Sequence, residues 1–98
     1  MATDTQTRER QDLNTERLAQ LLPPYRVLLH NDDDNSMDHV VTALLESVPK
    51  LTARDATRVM LEAHLRGVAL VIVCPREQAE FYCERLVAYG LVATMERQ

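Results

Sequence analysis

The stretch YRVLLHNDDDNSMDHVV, residues 25–41, changes character twice. Residues 25–30 are mostly aromatic, β-branched or apolar, a composition that favours a β-strand. Residues 31–35 hold two amides and three consecutive aspartates, which is typical of a turn. From Met37 the apolar residues return at helical spacing. We therefore predict a strand, an acidic turn and a helix, and a domain built outward from this unit.

The first predicted helix begins directly after the acidic turn. Asn35 or Ser36 is expected to cap it, Asp38 in its first turn suits the helix dipole, and Pro49 stops it. Its apolar residues recur at i, i+3, i+4, i+7, i+8 and i+11: Met37, Val40, Val41, Leu44, Leu45 and Val48. This spacing predicts an amphipathic helix with one face on a core.

The rest of the chain predicts two more helices and two more strands. Thr52 and Asp55 form a capping-box pattern, and Gly67 suits the position just past the end of that second helix. The apolar run 68–73 predicts a buried strand, and Pro75 suits the first position of a third helix that Gly90 closes. The apolar stripe of this third helix is Ala79, Tyr82, Cys83, Leu86 and Val87. Residues 91–95 predict a last strand. The order β-α-α-β-α-β predicts an α+β domain, in which a three-stranded sheet packs against three helices.

Length and composition indicate one folded domain. The chain has 98 residues, of which 46% are apolar. Residues 1–22 are mostly polar and charged, so we expect a flexible N-terminal extension, with a short helix at 13–22 as one option, ahead of a core at 23–98. The net charge of −4 argues against a nucleic-acid binder, and no apolar run approaches the roughly 20 residues of a membrane span.

The N-terminus and the cysteines point to an intracellular protein. The first residues contain no apolar core of a signal peptide. Cys74 and Cys83 fit neither a CxxC nor a zinc pattern, so reduced thiols are expected. We predict a cytoplasmic protein, or a protein of the plastid stroma if the source is a photosynthetic eukaryote.

A metal, a solvated cap or a cationic ligand could each explain the acidic turn. A calcium loop starting at Asp32 would place Met37 where glycine belongs and Ala43 where the closing acidic residue belongs, so that pattern fails. A zinc or iron site from His30, an aspartate and His64 stays open, although the spacing does not recommend it. The alternative without a ligand is a solvated turn that caps the helix.

Enzymatic motifs are weak in this chain. Cys83 lies within an apolar stripe, where a thiol is usually inert, and the sequence has no G-x-S-x-G and no glycine-rich phosphate loop. An acid–base pair of Asp33 with His64 is conceivable, but the sequence alone does not indicate a cleft that would hold a substrate. His64 itself falls on the apolar face of the second helix, four residues after Met60, and a core-edge histidine is the bland interpretation. We predict no enzyme, no cofactor and no metal.

Three segments resemble the ClpS adaptor family. YRVLLHNDDDNSMDHVV resembles its strand, Asn-Asp-Asp turn and helix; ATRVMLEAHLRGVAL, residues 56–70, resembles its A-T-x-x-M-L-x-x-H-x-x-G segment. PREQAEFYCERL and LVATMERQ, residues 75–86 and 91–98, resemble its third helix and closing strand more weakly. The matches occur in the family's order over roughly residues 24–97. A fold like that of ClpS and of the ribosomal L7/L12 C-terminal domain is thereby implied.

The resemblance implies an adaptor that binds proteins with bulky apolar N-terminal residues, called N-degrons, and delivers them to a Clp AAA+ unfoldase of the ClpA or ClpC type. It places Asn31, Asp33 and His64 around the substrate's α-amino group, with Asp32, Asp34 and Asn35 in the supporting turn. The residues implied for the side-chain pocket are Met37, Val40, Met60 and Leu91. Those implied for the unfoldase interface are Glu77 and Glu80, and the N-terminal extension is implied to engage the unfoldase pore.

Departures from the family pattern leave alternatives open. Asp34-Asn35-Ser36 replaces a Tyr-Thr-Pro-like stretch, and Tyr82 stands where lysine is frequent, which resembles a diverged paralogue. Asp34 could contact the second substrate residue or be merely solvated. The rival hypotheses are a protein-interaction module of the same fold without N-degron recognition, and a small metal-dependent hydrolase.

Overall fold

The computed structural model describes residues 22–98, so the expectations for the N-terminal extension and its short helix fall outside the described residues apart from Leu22. The elements are β1 (Pro24–His30), α1 (Met37–Ser47), α2 (Ala53–Arg66), β2 (Val68–Pro75), α3 (Arg76–Ala88) and β3 (Val92–Arg97). This order confirms the predicted β-α-α-β-α-β fold with a three-stranded sheet and three helices.

The strand of the opening stretch, β1, is the central strand of the sheet. It pairs antiparallel with β2 on one side and with β3 on the other. A bulge interrupts the β1–β2 register, because Val27 pairs with Ile72 while Leu28 pairs with Leu70. The central strand ends at His30, where the chain leaves the sheet and enters the acidic turn.

The helices cover only one face of the sheet, and this corrects the prediction of a fully buried second strand. Ala69, Val71 and Cys74 of β2 are buried against the helices, whereas Val68 and Leu70 of β2 are exposed by 41% and 42%. The run is uniformly apolar, so its hydropathy could not show that one face meets solvent. The largest fully buried side chains between sheet and helices are Leu29, Leu44, Leu86, Val27, Val48 and Val59.

Capping residues fix the helix ends close to where the sequence predicts them. Ser36 caps α1, and its Oγ accepts from the backbone N–H of His39 at 3.2 Å. The Thr52–Asp55 capping box is present at α2, with hydrogen bonds of 3.0 and 3.1 Å. Gly67 ends α2 at φ +90°, a left-handed conformation that favours glycine.

The structure differs from the prediction in three details of α3 and β3. Val87, expected on the buried stripe of α3, is 53% exposed, and Pro75 precedes the helix as its N-cap residue instead of occupying its first position. The buried residues of α3 are Ala79, Tyr82 and Leu86, so Tyr82 belongs to the core. The closing strand starts at Val92, one residue later than predicted, and Leu91 before it is buried.

Candidate functional site

A cleft opens where β1 ends, the acidic turn follows, and α2 passes alongside. The backbone N–H of Asn31 donates to the carbonyl of Gly67 at 2.9 Å, which holds the start of the turn against the end of α2. The cleft is narrow, and its cavity of about 40 Å³ lies well below the roughly 300–1,000 Å³ typical of ligand pockets. Its lining residues are Leu29, His30, Asn31, Asp32, Asn35, Met37, Val40, Met60, Ala63 and His64.

The acidic turn is organised around one carboxylate oxygen. Asp32 Oδ1 accepts from the backbone N–H of Asp34 at 3.0 Å, from the backbone N–H of Asn35 at 2.9 Å and from Asn35 Nδ2 at 3.0 Å. Asp32 is half-buried, whereas Asp33 and Asp34 are exposed. The hydrogen bonds therefore fix the Asp32 carboxylate on the cleft wall.

Asn35 connects this turn to a distant part of the chain. Its Nδ2 also donates to the carbonyl of Gly90, at 2.9 Å, in the loop between α3 and β3. Beside it, the ring nitrogen Nε2 of His39 donates to the carbonyl of Tyr89 at 2.7 Å, since a carbonyl can only accept. The Tyr89 hydroxyl in turn donates to the Glu46 carboxylate. The turn and α1 are thus tied to the C-terminal end of α3.

The opposite wall of the cleft comes from α2. Met60 is 9% exposed and forms part of the apolar floor together with Ala63 and Val40. His64 follows one helical turn after Met60, but its side chain is exposed at the mouth of the cleft and not in the core. The apolar spacing predicted that His64 faces the core, whereas in the structure its side chain is exposed and lines the cleft.

The structure brings together most, though not all, of the residues singled out in the sequence. Those that line the cleft are Asn31, Asp32, Asn35, Met37, Val40, Met60 and His64. Asp33 and Asp34 lie in the same turn but outside the lining, and Leu91 is buried in the core with 4% exposure. Glu77 and Glu80 are exposed on α3.

Leu29, His30 and Ala63 line the cleft without having been predicted for it. The signal available for Leu29 and His30 was their place at the end of β1, next to the turn. Ala63 had the weaker signal of lying one residue before His64.

Both cysteines are free thiols, and burial affects the two of them in the same way. Burial raises the pKa of both Cys74 and Cys83, which keeps these thiols protonated and poorly nucleophilic. Among residues 22–98, no three His, Cys, Asp or Glu side chains are grouped closely enough to hold a metal ion. Within the same range, none of the helices has the length and hydrophobicity needed to cross a membrane.

Known proteins resemble this chain over almost its whole length. The family model described as ATP-dependent Clp protease adaptor protein ClpS matches residues 20–94. The adapter protein ClpS of Synechococcus sp. strain CC9902 is 54% identical over 85 residues, which are 87% of this chain and 82% of that protein. The chloroplastic adapter CLPS1 of Chlamydomonas reinhardtii is 46% identical over 95% of this chain and 58% of its own length.

A solved structure resembles the fold as well. Agrobacterium tumefaciens ClpS2, bound to L-phenylalaninamide, superposes with a TM-score of 0.72 at 30% identity, and the match covers 78% of this chain and 98% of that one. Family model, sequence relatives and fold agree, and the chain therefore belongs to the ClpS family of adaptors for ATP-dependent Clp proteases.

Proposed function

We propose that this adaptor binds the free N-terminus of proteins whose first residue is bulky and apolar, and delivers them to a Clp unfoldase. One observation carries the proposal: a single cleft combines the hydrogen-bond acceptors of Asn31, Asp32 and His64 with an apolar floor that includes Met60 and Val40. That combination suits a ligand with a cation at one end and an apolar side chain at the other.

The polar part of the cleft matches an α-amino group. A protonated N-terminus carries three donors, and an amide oxygen, a carboxylate and a neutral imidazole nitrogen are three acceptors. Hydrogen bonds to a charged partner are roughly twice as strong as neutral ones. An acetylated N-terminus offers one donor and no charge, so it would leave the carboxylate without its ionic partner. We therefore expect acetylation to abolish binding.

Asp32 and Asp33 are the two candidates for the carboxylate that meets the α-amino group. The sequence resemblance favours Asp33, whereas the cleft is lined by Asp32. We assign the direct contact to Asp32 and a longer-range electrostatic contribution to Asp33, which is exposed one residue further along the turn. The two roles differ in their expected magnitude, so mutation can separate them.

The apolar part of the cleft selects the side chain. Burying roughly 150–250 Å² of an aromatic residue at about 25 cal/mol/Å² yields about 4–6 kcal/mol before the ordering cost of binding. The Agrobacterium relative binds an amide of phenylalanine, and this supports the same ligand class here. Met37 lines the cleft and is 46% exposed, and we assign it to cover a bound side chain.

The delivery step uses a second surface and no chemistry by the adaptor. Glu77 and Glu80 are exposed on α3, and we assign them to the contact with a ClpA- or ClpC-type unfoldase. Relatives occur in bacteria and in chloroplasts, so we place the protein in the bacterial cytoplasm or the plastid stroma. Charge reversal at Glu77 should lower unfoldase-dependent degradation of a reporter without changing peptide affinity.

Fluorescence anisotropy with a peptide panel tests the binding function. The peptides share one body and begin with Phe, Tyr, Trp, Leu, Ile, Val, Arg or Ala. Asp32→Asn should weaken binding of the Phe peptide by about tenfold or more, Asp33→Asn by about threefold, and Asp34→Asn, the matched control from the same turn, by less than about twofold. Equal binding of all eight peptides would refute the side-chain pocket, and an unaffected Asp32→Asn would refute the polar site.

The acceptor role of His64 offers a further check. His64→Ala should weaken binding of the Phe peptide, whereas His64→Gln, which keeps an acceptor oxygen, should weaken it less. Unchanged binding by His64→Ala would remove His64 from the site.

A further inference from the structure

We infer that Phe81 of α3 is the apolar anchor of the contact with the Clp unfoldase, and that it inserts into a recess of the unfoldase bordered by basic side chains. This role rests on the proposed function, because it takes the delivery surface assigned to Glu77 and Glu80 and names the residue at its centre. It also defines the chemistry of the partner surface, which is an apolar recess with lysine or arginine residues around it.

The only phenylalanine of the chain lies at the surface. Phe81 is 52% exposed on α3, whereas the neighbouring Tyr82 is 8% exposed and packs in the core. The exposed part of the ring contributes nothing to the core, and aromatic residues are enriched in the centres of protein interfaces. Since only a partner can bury this part of the ring, Phe81 is a candidate for an interface residue.

Contacts within the domain hold the Phe81 ring in place. The guanidinium carbon of Arg85 lies 5.6 Å from the centre of the ring, within the distance of a cation–π interaction. Arg85 is itself fixed, because its Nη2 donates to the carbonyl of Glu46 at 3.1 Å. The ring of Tyr82 lies 5.9 Å away, tilted by 57°. A ring that is ordered before binding loses less conformational entropy on binding, which favours its use as an anchor.

Acidic side chains border the ring. The helical neighbours of Phe81 are the residues three and four positions away, and they include Glu77 and Glu84, which are both exposed. Within residues 22–98, neither of these two carboxylates forms a salt bridge. The one basic neighbour, Arg85, leaves the rim with an excess of negative charge. An apolar centre with a charged rim is typical of protein interfaces, and this rim is complementary to a basic partner.

A shallow recess beside the ring joins it to the assigned delivery surface. Its lining residues are Pro49, Glu77, Gln78, Phe81 and Tyr82, none of which lines the cleft. The cleft lies at the start of α1, at Met37, whereas Glu46 and Pro49 are at or beyond the end of that helix. Met37 and Glu46 are about 14 Å apart along the helix axis, at 1.5 Å per residue. A substrate N-terminus and the unfoldase can therefore occupy the adaptor together, as delivery requires.

Anisotropy of the labelled adaptor, titrated with purified Clp unfoldase and a slowly hydrolysed ATP analogue, tests the inference. Phe81→Gln should weaken unfoldase affinity at least about tenfold, and Phe81→Tyr, which keeps the ring, should stay within about threefold of the wild type. Val87→Gln is the matched control, because Val87 is 53% exposed on the same helix but does not line the recess. It should change the affinity by less than about twofold. All three variants should bind phenylalaninamide as tightly as the wild type.

Glu84→Lys tests the basic border and should weaken unfoldase binding about threefold or more, since it places a cation against basic side chains; unchanged affinity would overturn that part. Wild-type affinity in Phe81→Gln, with a loss in Glu77→Lys, would overturn the anchor and leave the delivery surface intact. A changed sedimentation coefficient of the Phe81→Gln adaptor alone would overturn it too, since a second copy would then cover the ring. A wild type that binds phenylalaninamide but not the unfoldase would refute delivery, and this inference with it.

Discussion

Replacing Asn35 by alanine should loosen the acidic turn and weaken ligand binding together. The Asn35 side chain donates to the Asp32 carboxylate at 3.0 Å and to the Gly90 carbonyl at 2.9 Å, and it is the link between the cleft wall and the loop before β3. Alanine keeps the backbone N–H that bonds to Asp32, so the turn itself can still form. What is lost is the attachment of the end of the turn to the loop before β3.

The magnitude follows from these two hydrogen bonds. A bond to a charged acceptor contributes about 1.5–3 kcal/mol and a neutral one about 0.5–1.5 kcal/mol, but water reaches this half-exposed site and replaces part of each. We expect a loss of about 1–2 kcal/mol in the free energy of unfolding, or roughly 4–16 °C in Tm for a domain of this size. Re-ordering the turn on binding costs about 0.5–1.5 kcal/mol more, which weakens ligand affinity roughly two- to tenfold.

Urea unfolding and calorimetric titration with phenylalaninamide measure the two effects on the same protein sample. Asp34→Ala is the matched control, since Asp34 is an exposed neighbour whose backbone, but not whose side chain, bonds to Asp32. The control should change stability and affinity little. If Asn35→Ala lost stability but bound the ligand with full affinity, the turn would not need its attachment to Gly90. If neither quantity changed, the reasoning from these hydrogen bonds would be wrong.

Thr52→Ala removes the cap of α2 and should cost about 1 kcal/mol in urea unfolding at pH 7. Hydrogen bonds from Thr52 lower the pKa of Asp55 below its ordinary value of 3.8, so the stabilisation by this carboxylate is complete above about pH 4 and is lost as the pH falls through the lowered pKa; Asp55→Asn should flatten that acid decline, and an unchanged decline would contradict the assignment. Gly67→Ala should cost about 1–2 kcal/mol through its left-handed backbone alone, since a methyl group there meets no atom within 4 Å; a neutral thermal melt would contradict this. Iodoacetamide at pH 7.5 should modify Cys74 and Cys83 slowly in the folded protein and rapidly in urea, because burial raises the pKa of both thiols; mass spectrometry showing equal rates would argue against their burial.

The fold was predictable because its signals are local. The capping box of Thr52 and Asp55, the glycine after α2 and the 3.6-residue periodicity of α1 each specify an element from a few neighbouring residues. Agreement of these local preferences with the final packing is what makes a sequence fold to one structure. The order of elements then follows from the chain itself.

The packing around those elements was less predictable, since it depends on which faces are covered. The apolar run of β2 gave no indication that Leu70 meets solvent, and the spacing in α3 placed Val87 in the core although it is exposed. Only the arrangement of three helices on one side of the sheet decides these cases. The periodicity of hydrophobic residues shows which face of a helix or strand is apolar, but it does not show which other element covers that face.

The sequence identified the segments that form the site, but it did not identify which residues of those segments line the cleft. Three adjacent aspartates in a turn look alike in sequence, and the one that lines the cleft is selected by hydrogen bonds to Asp32 Oδ1. The bond from Asn35 to Gly90 joins positions far apart along the chain and has no sequence signal. Leu91 resembles a pocket residue by its position in the family pattern, while the structure has it buried in the core.

The most direct measurement of the central claim is isothermal titration calorimetry of the wild-type protein with phenylalaninamide and with its N-acetyl derivative. The two ligands share the side chain and differ in the charge of the amino group. Binding of phenylalaninamide with one site per chain, and no measurable binding of the acetylated form, is the result we predict from the acceptors of the cleft. Equal binding of both ligands would show that the cleft recognises only an apolar group, and an absence of binding by either would contradict recognition of N-termini altogether.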